Sequence, residues 1–261
     1  MNVIRARVLL LIAMGAPSAG AAQAAPLIAG RAAMEAMDLP AARRNLEAAV
    51  ARDPSGYEAN WRLALVLLDL GKQVRDDAGR SERDSLYALS ERYARRAVAA
   101  NERGADGHFA LANALGRSAL TRGTKARIRI AGEIRSEAER AIALDPRHHG
   151  ALHVLGRWHA EIRRLSGTER FLARTFMGGG ILGSASWDAA ESNLVAAVRY
   201  GPDVIYHRLD LAEVLTEREK WAAARAQLDT LARLPVRDPM DTLYQARGQA
   251  LGNRIARRGR Q

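Results

Sequence analysis

Four histidines crowd one short stretch of this chain: His148, His149, His153 and His159. His149 and His153 are four residues apart, so on a helix they share a face and could ligate a metal ion. No Glu or Cys stands at a familiar ligand spacing and H-E-x-x-H is absent, so no metal or other cofactor is expected. Gly178, Gly180 and Gly183 match G-x-G-x-x-G, but a helical pattern precedes them where a dinucleotide site needs a strand. They read as a loop that ends a helix. Ser184 and Ser186 stand beside Trp187 and Asp188 and read as a helix start with Ser186 as N-cap; no G-x-S-x-G or G-K-[ST] element exists. Cysteine is absent, which removes disulfides, thiolate catalysis, Cys-based zinc sites and lipoprotein anchoring. Carboxylate pairs that meet only in three dimensions stay open, but nothing in the sequence favours one. No catalytic residue is assigned, and the chain is not read as an enzyme.

The formal charge is +11 over 261 residues, and nearly all of the excess is Arg, since Lys occurs only at Lys72, Lys125 and Lys220. Such a balance suits anionic partners or simply basic, solvated helix faces. Arg127, Arg129, Arg135 and Arg140 are interrupted by Glu133, Glu137 and Glu139, the pattern of a salt-bridged solvent face, so no nucleic acid is expected. The Arg-rich tail of Arg254, Arg257, Arg258 and Arg260 is less balanced and could lean on an anionic surface.

These residues must be positioned by helices. Ala is abundant, Val, Ile and Thr are sparse, and no long alternating run appears. The first residues stand apart. Arg5 and Arg7 precede the apolar run Val8 to Ala13, small residues follow, and Ala22-Gln23-Ala24 fits a cleavage site. This predicts a signal peptide over residues 1–24, removed after Ala24, and an exported, periplasmic protein. A mitochondrial-type presequence is the alternative. In the remainder, 25–261, a helix repeatedly stops at proline: LEAAVARDP at Pro54, AERAIALDP at Pro146, NLVAAVRYGP at Pro202 and LDTLARLP at Pro235. A second kind of helix follows most of them, as in YEANWRLALVLLDLG and VIYHRLDLAEVL.

This pattern resembles the tetratricopeptide repeat, a helix-turn-helix unit of about 34 residues. Small or apolar residues recur in its register: Gly30, Ala42, Leu46 and Ala49; then Ile134, Ala138 and Ala141; then Ala190, Leu194 and Ala197; then Leu211, Ala212, Ala224 and Leu228. The resemblance implies an all-α fold of helical-hairpin repeats forming a right-handed superhelical solenoid of about five units. Polar insertions are expected near 72–86 and 166–186, with a capping helix at 241–258. The stretch from Leu152 to Pro202, with LGRW at Leu155–Trp158 and LARTFMGG beyond it, is similar to the regulator of microtubule dynamics family. That resemblance implies tetratricopeptide-type repeats with an extended loop in this unit, and a binding or scaffolding role. Microtubule association belongs to the eukaryotic members, and an export signal would separate this chain from tubulin. Within the loop a short helix is expected over Thr168 to Met177, carrying an apolar stripe of Phe171, Leu172, Thr175 and Phe176.

In the repeat architecture the first helix of each unit lines a concave groove. The register places Trp61 and Asp69 there, then Phe109, Asn113 and Arg117, then His153, Arg157 and Glu161, then Tyr206, Glu213 and Glu217. Aromatic anchors mixed with Arg and Asn suit recognition of a peptide or a helix of a partner protein. The expected function is therefore a non-catalytic interaction scaffold. An envelope accessory protein holding a small ligand inside the superhelix is the alternative.

Overall fold

The computed structural model describes residues 19–74, 79–120, 124–169, 171, 175 and 183–258. The signal segment expected at 1–24 lies largely outside them. The described residues form helices and contain no strand. The helices are α1 (Ala19–Glu35), α2 (Leu39–Arg52), α3 (Tyr57–Gln73), α4 (Arg80–Ala100), α5 (Ala105–Leu120) and α6 (Thr124–Leu144). They continue as α7 (His149–Arg164), α8 (Trp187–Tyr200), α9 (Ile205–Glu217), α10 (Trp221–Leu231) and α11 (Asp241–Arg258). Consecutive helices pair into hairpins from α1–α2 to α9–α10, each packs on the next, and α11 packs on α9 and α10. Among the described residues no helix is long and apolar enough to cross a membrane.

The turns between hairpins follow from short polar side chains. Asp53, Asn101 and Asp145 each use Oδ1 to accept the backbone N–H two residues on, from Ser55, Arg103 and Arg147 at 3.1, 3.1 and 2.9 Å. These side chains stop α2, α4 and α6 by offering the backbone a local alternative to the helix ladder. Pro54 and Pro146 then prevent continuation at two of the three. Asp38 and Ser186 cap α2 and α8, the second helices of their hairpins, by accepting from Ala41 and Ala189, and His148 caps α7 in the same turn as Asp145 by accepting from Ala151.

Within a hairpin the helices meet where side chains are smallest. A Cβ added at Gly30 would lie 2.7 Å from Leu46 Cγ, and one at Gly156 would lie 2.7 Å from Leu194 Cγ and 3.1 Å from the Ala190 carbonyl. The two pairs are equivalent in the repeat, although a long insertion separates Gly156 from Leu194. Leu46, Leu63, Leu67, Leu194 and Ile205 are completely buried at these seams. Each such side chain contributes about 1.5–3 kcal/mol on leaving water. Core clusters overlap along the array: one joins α1 to α4, one α3 to α6, a small one of Ala112, Ala138 and Leu155 α5 to α7, and one α7 to α11.

Two expectations about insertions meet the structure differently. The stretch expected as an insertion at 72–86 is mostly helix, because α4 opens at Arg80 and runs for 21 residues. Its polar start, Ser81 and Glu82, is exposed, while Leu86 and Tyr87 are buried, and the Tyr87 ring lies against Gly71. The helix expected over Thr168–Met177 lies largely outside the described residues. Phe171 is 69% exposed, and the Thr175 hydroxyl donates to its carbonyl at 3.1 Å.

Candidate functional site

The sequence-predicted groove residues fall on the first helices of successive hairpins: Trp61 on α3, Phe109, Asn113 and Arg117 on α5, His153, Arg157 and Glu161 on α7, and Tyr206 and Glu213 on α9. The structure divides them into two groups.

Those on α7 and α9 hold one another. Arg157 donates to Asp210 Oδ1 at 2.6 Å and to Glu161 at 2.9 Å, and lies 3.9 Å from Glu213. His153 Nε2 meets Asp210 Oδ2 at 2.6 Å. Arg247 on α11 donates to Glu213 at 3.0 Å, and Arg164 donates to Glu217 at 2.8 Å and Glu161 at 2.7 Å. Burial pushes the Asp210 carboxyl up, but the Arg157 guanidinium and the His153 hydrogen bond outweigh this and hold it below the usual carboxylate range. Asp210 is thus ionised and can only accept, so His153 donates from Nε2. Burial lowers His153 despite Asp210, leaving a neutral ring. Burial also raises Tyr206, whose ring sits edge-on to His153 at 4.8 Å and 5.9 Å from Tyr244. This half of the groove is internally neutralised.

The sequence reading missed Asp210 and His207. His207 is fully buried, receives or donates a 2.9 Å hydrogen bond with His149 Nδ1, and stacks on His153 at 4.8 Å. Burial, then His153 and His149, drive its pKa far down. The signal was a lone acid and a lone histidine inside the apolar run I-Y-H-R-L-D-L, where each needs a partner from the preceding unit. The histidines pair with each other and with Asp210, and among the described residues no group of three or more His, Cys, Asp or Glu is arranged to hold a metal.

The residues on α3 and α5 differ. Phe109 is a packing residue: its ring lies against Gly150 and 4.7 Å from His148. Trp61 is half-buried against the second core cluster with Arg62 over its ring at 4.3 Å. Asn113 and Arg117 share one face of α5, are half-buried, and make no side-chain hydrogen bond or ion pair among the described residues. Lys72, one turn beyond Asp69 on α3, donates to it at 2.6 Å. An open depression of about 510 Å³ lies where the ends of α7 and α9 meet the start of α8, lined by Arg163, Ser186, Trp187, Asp188, Glu217 and Arg218.

Stacked helical hairpins with a core running through every seam and an inner wall of first helices define a tetratricopeptide-type repeat protein. Proteins of this architecture present an extended concave surface for binding. The profile described as "Regulator of microtubule dynamics protein 1-3" matches residues 31–255, and the chain belongs to that family. Among solved structures it is similar to TTC0263, a thermophilic tetratricopeptide protein of Thermus thermophilus. The identity is 20%, the match covers 88% of this chain and 98% of that one, and the TM-score is 0.62. It is also similar to pilF of Pseudomonas aeruginosa, at 16% identity over 90% of this chain and 89% of that one, with a TM-score of 0.54. Comparison with curated protein sequences finds no match.

Proposed function

We propose that this protein is a non-catalytic interaction scaffold that takes an extended segment of a partner protein into its concave groove, centred on α3 and α5. One observation carries the reading. The groove charges Arg157, Glu161, Arg164, Asp210, Glu213, Glu217 and Arg247 on α7, α9 and α11 are paired with one another, whereas Asn113 and Arg117 on α5 have no side-chain partner among the described residues. Half-buried donors that no carboxylate among the described residues holds can exchange their water for the acceptors of a bound segment. A photo-crosslinking residue placed at Trp61 or Asn113 is expected to trap a partner in cells, and one at the exposed Ala223 of α10 is not. Equal labelling from Ala223 contradicts the groove assignment.

Export belongs to the same proposal. α1 carries Pro26 in its interior as it runs from Ala19. Removal of residues 1–24 would put Pro26 in the first turn of the remaining helix, where its missing N–H and fixed φ cost nothing. N-terminal sequencing of the cell-derived protein is expected to start at Ala25, and fractionation to place it in the periplasm. A mature chain that begins at Met1 and stays with the cytosol removes this part of the proposal.

A further inference from the structure

α9 is tied to its two neighbours in the array in different ways. To α8 it is joined by apolar packing, with Ala190 and Leu194 in one cluster with Ile205, Leu209 and Ala212. To α7 it is joined by polar contacts, since Ala160 alone represents α7 in that cluster among the described residues. The first turns of α7 and α9 meet through His149 Nδ1 and His207 Nε2, 2.9 Å apart. Farther along, His153 and Arg157 hold Asp210, and Arg164 holds Glu217.

A hydrogen bond between two imidazole nitrogens holds one proton. His207 is completely buried, and its Nδ1 has no hydrogen-bond partner among the described residues. The satisfied neutral arrangement has His207 donating from Nε2 to His149, with its own Nδ1 bare. Charging His207 puts a proton on Nδ1, where no acceptor stands. Charging His149 puts a proton on its Nδ1 and removes the acceptor that His207 uses. A proton on His153 sets a positive ring against His207 at 4.8 Å. Each of these charged states is costly while the rings stay buried together, and water relieves it once they part.

We propose that the His149–His207 pair is a proton-operated latch: acidification parts the first turns of α7 and α9, while the apolar α8–α9 packing and the Arg164–Glu217 ion pair keep the fourth and fifth hairpins attached. The groups around the latch act in both directions. Asp145 at the end of α6 favours charge on His149, and Asp210 of α9 favours it on His153 and His207. Against them stand Arg117 of α5 and Arg157 of α7, which act on His153, and His148, which acts on His149 and lies 3.4 Å from Asp106 of α5. α8 brings Gly201 against the His149 ring, and its Arg199 and Tyr200 are exposed and lie on each other. α11 brings Tyr244, 5.9 Å from Tyr206 of α9, and Arg247, which holds Glu213. Burial outweighs the acids and lowers all three rings. Parted rings take protons near the ordinary value and joined rings only below it, so opening grows as pH falls below ~6.5. The latch does not depend on what the groove binds.

The chain has no cysteine, so pairs of spin labels can be placed on introduced ones. Arg147→Cys with Asp203→Cys, in the exposed turns before α7 and α9, report the latch. Ser55→Cys with Arg103→Cys, in the equivalent turns before α3 and α5, report a seam that Tyr57 and Gly107 join instead. Between pH 7.5 and pH 5 the first distance is expected to lengthen reversibly by about 3 Å or more, the span of one inserted hydrogen bond. The second distance should stay fixed and the far-UV circular dichroism unchanged. His207→Phe, which fills the site with a ring that takes no proton, is expected to hold the first distance constant. Should that variant not fold, imidazole NMR of the wild-type chain decides, because proton uptake by His207 must share the midpoint of the distance change. An unchanged first distance, equal changes at both pairs or a full response in His207→Phe overturns the latch. So does helix loss that accompanies the change, or a midpoint separated from the titration of His207.

Discussion

At the residue scale, the junction of α7 and α9 is built from neutral imidazoles. His149 meets His207 at 2.9 Å, His207 stacks on His153, and His153 donates to Asp210, which Arg157 also holds. Burial is the largest cause lowering all three histidines, and neighbouring rings add to it for His149 and His207; Asp145 for His149 and Asp210 for the other two oppose it without prevailing. The folded pKa values lie below the unfolded value of ~6.5. The unfolded chain therefore binds protons that the folded chain does not, and stability falls as pH drops below ~6.5. Each histidine contributes a slope of up to about 1.4 kcal/mol per pH unit. Urea unfolding is expected to show lower stability at pH 5 than at pH 7.5, with a shallower dependence in His207→Phe. Equal stability at the two pH values would contradict the neutral ladder. Asp210 adds a separate loss only under stronger acid, as pH falls below ~4 toward its depressed value.

At the element scale, the fold depends on how closely paired helices approach. Gly156 has no room for a Cβ against Leu194 and the Ala190 carbonyl, whereas nothing lies within 4 Å of a Cβ at Gly116 on α5. Gly156→Ala is expected to cost about 1–3 kcal/mol by overpacking. Gly116→Ala is expected to gain about 0.5–1 kcal/mol, because alanine loses less backbone freedom in a helix. Melting temperatures of the two variants should move in opposite directions, and parallel shifts would show that the α7–α8 seam yields. This seam was legible in the sequence, since small residues at fixed spacing mark helix crossings. The start of α4 was not, because hydrophobic periodicity fades where a helix packs on one narrow stripe, here Leu86 and Tyr87.

At the scale of the whole molecule, each hairpin touches mainly its neighbours, so stability is close to a sum of local terms. α11 closes the array: Leu251 and Ile255 are buried in the cluster that contains Leu228 and Leu231. Leu251→Ala is expected to remove about 2–5 kcal/mol. Hydrogen exchange should show the loss of protection concentrated in α9 to α11, with α1 and α2 unchanged. A uniform rise in exchange along the chain would instead mark the array as one cooperative unit.

The sequence by itself determined the helical class and the repeat register, and with the register which side chains were expected on the inner helices, because local propensity, proline stops and small-residue spacing act over a few turns of chain. It could not decide which of those side chains are spent. Arg157 and Arg117 occupy similar places on successive inner helices, yet one is held by Asp210 from the next unit and the other has no such partner among the described residues. That difference arises from residues 53 positions apart in the chain in the first case. Electrostatic and hydrogen-bond partners across repeats are set by how hairpins stack in space, and only the tertiary structure brings them within bonding distance.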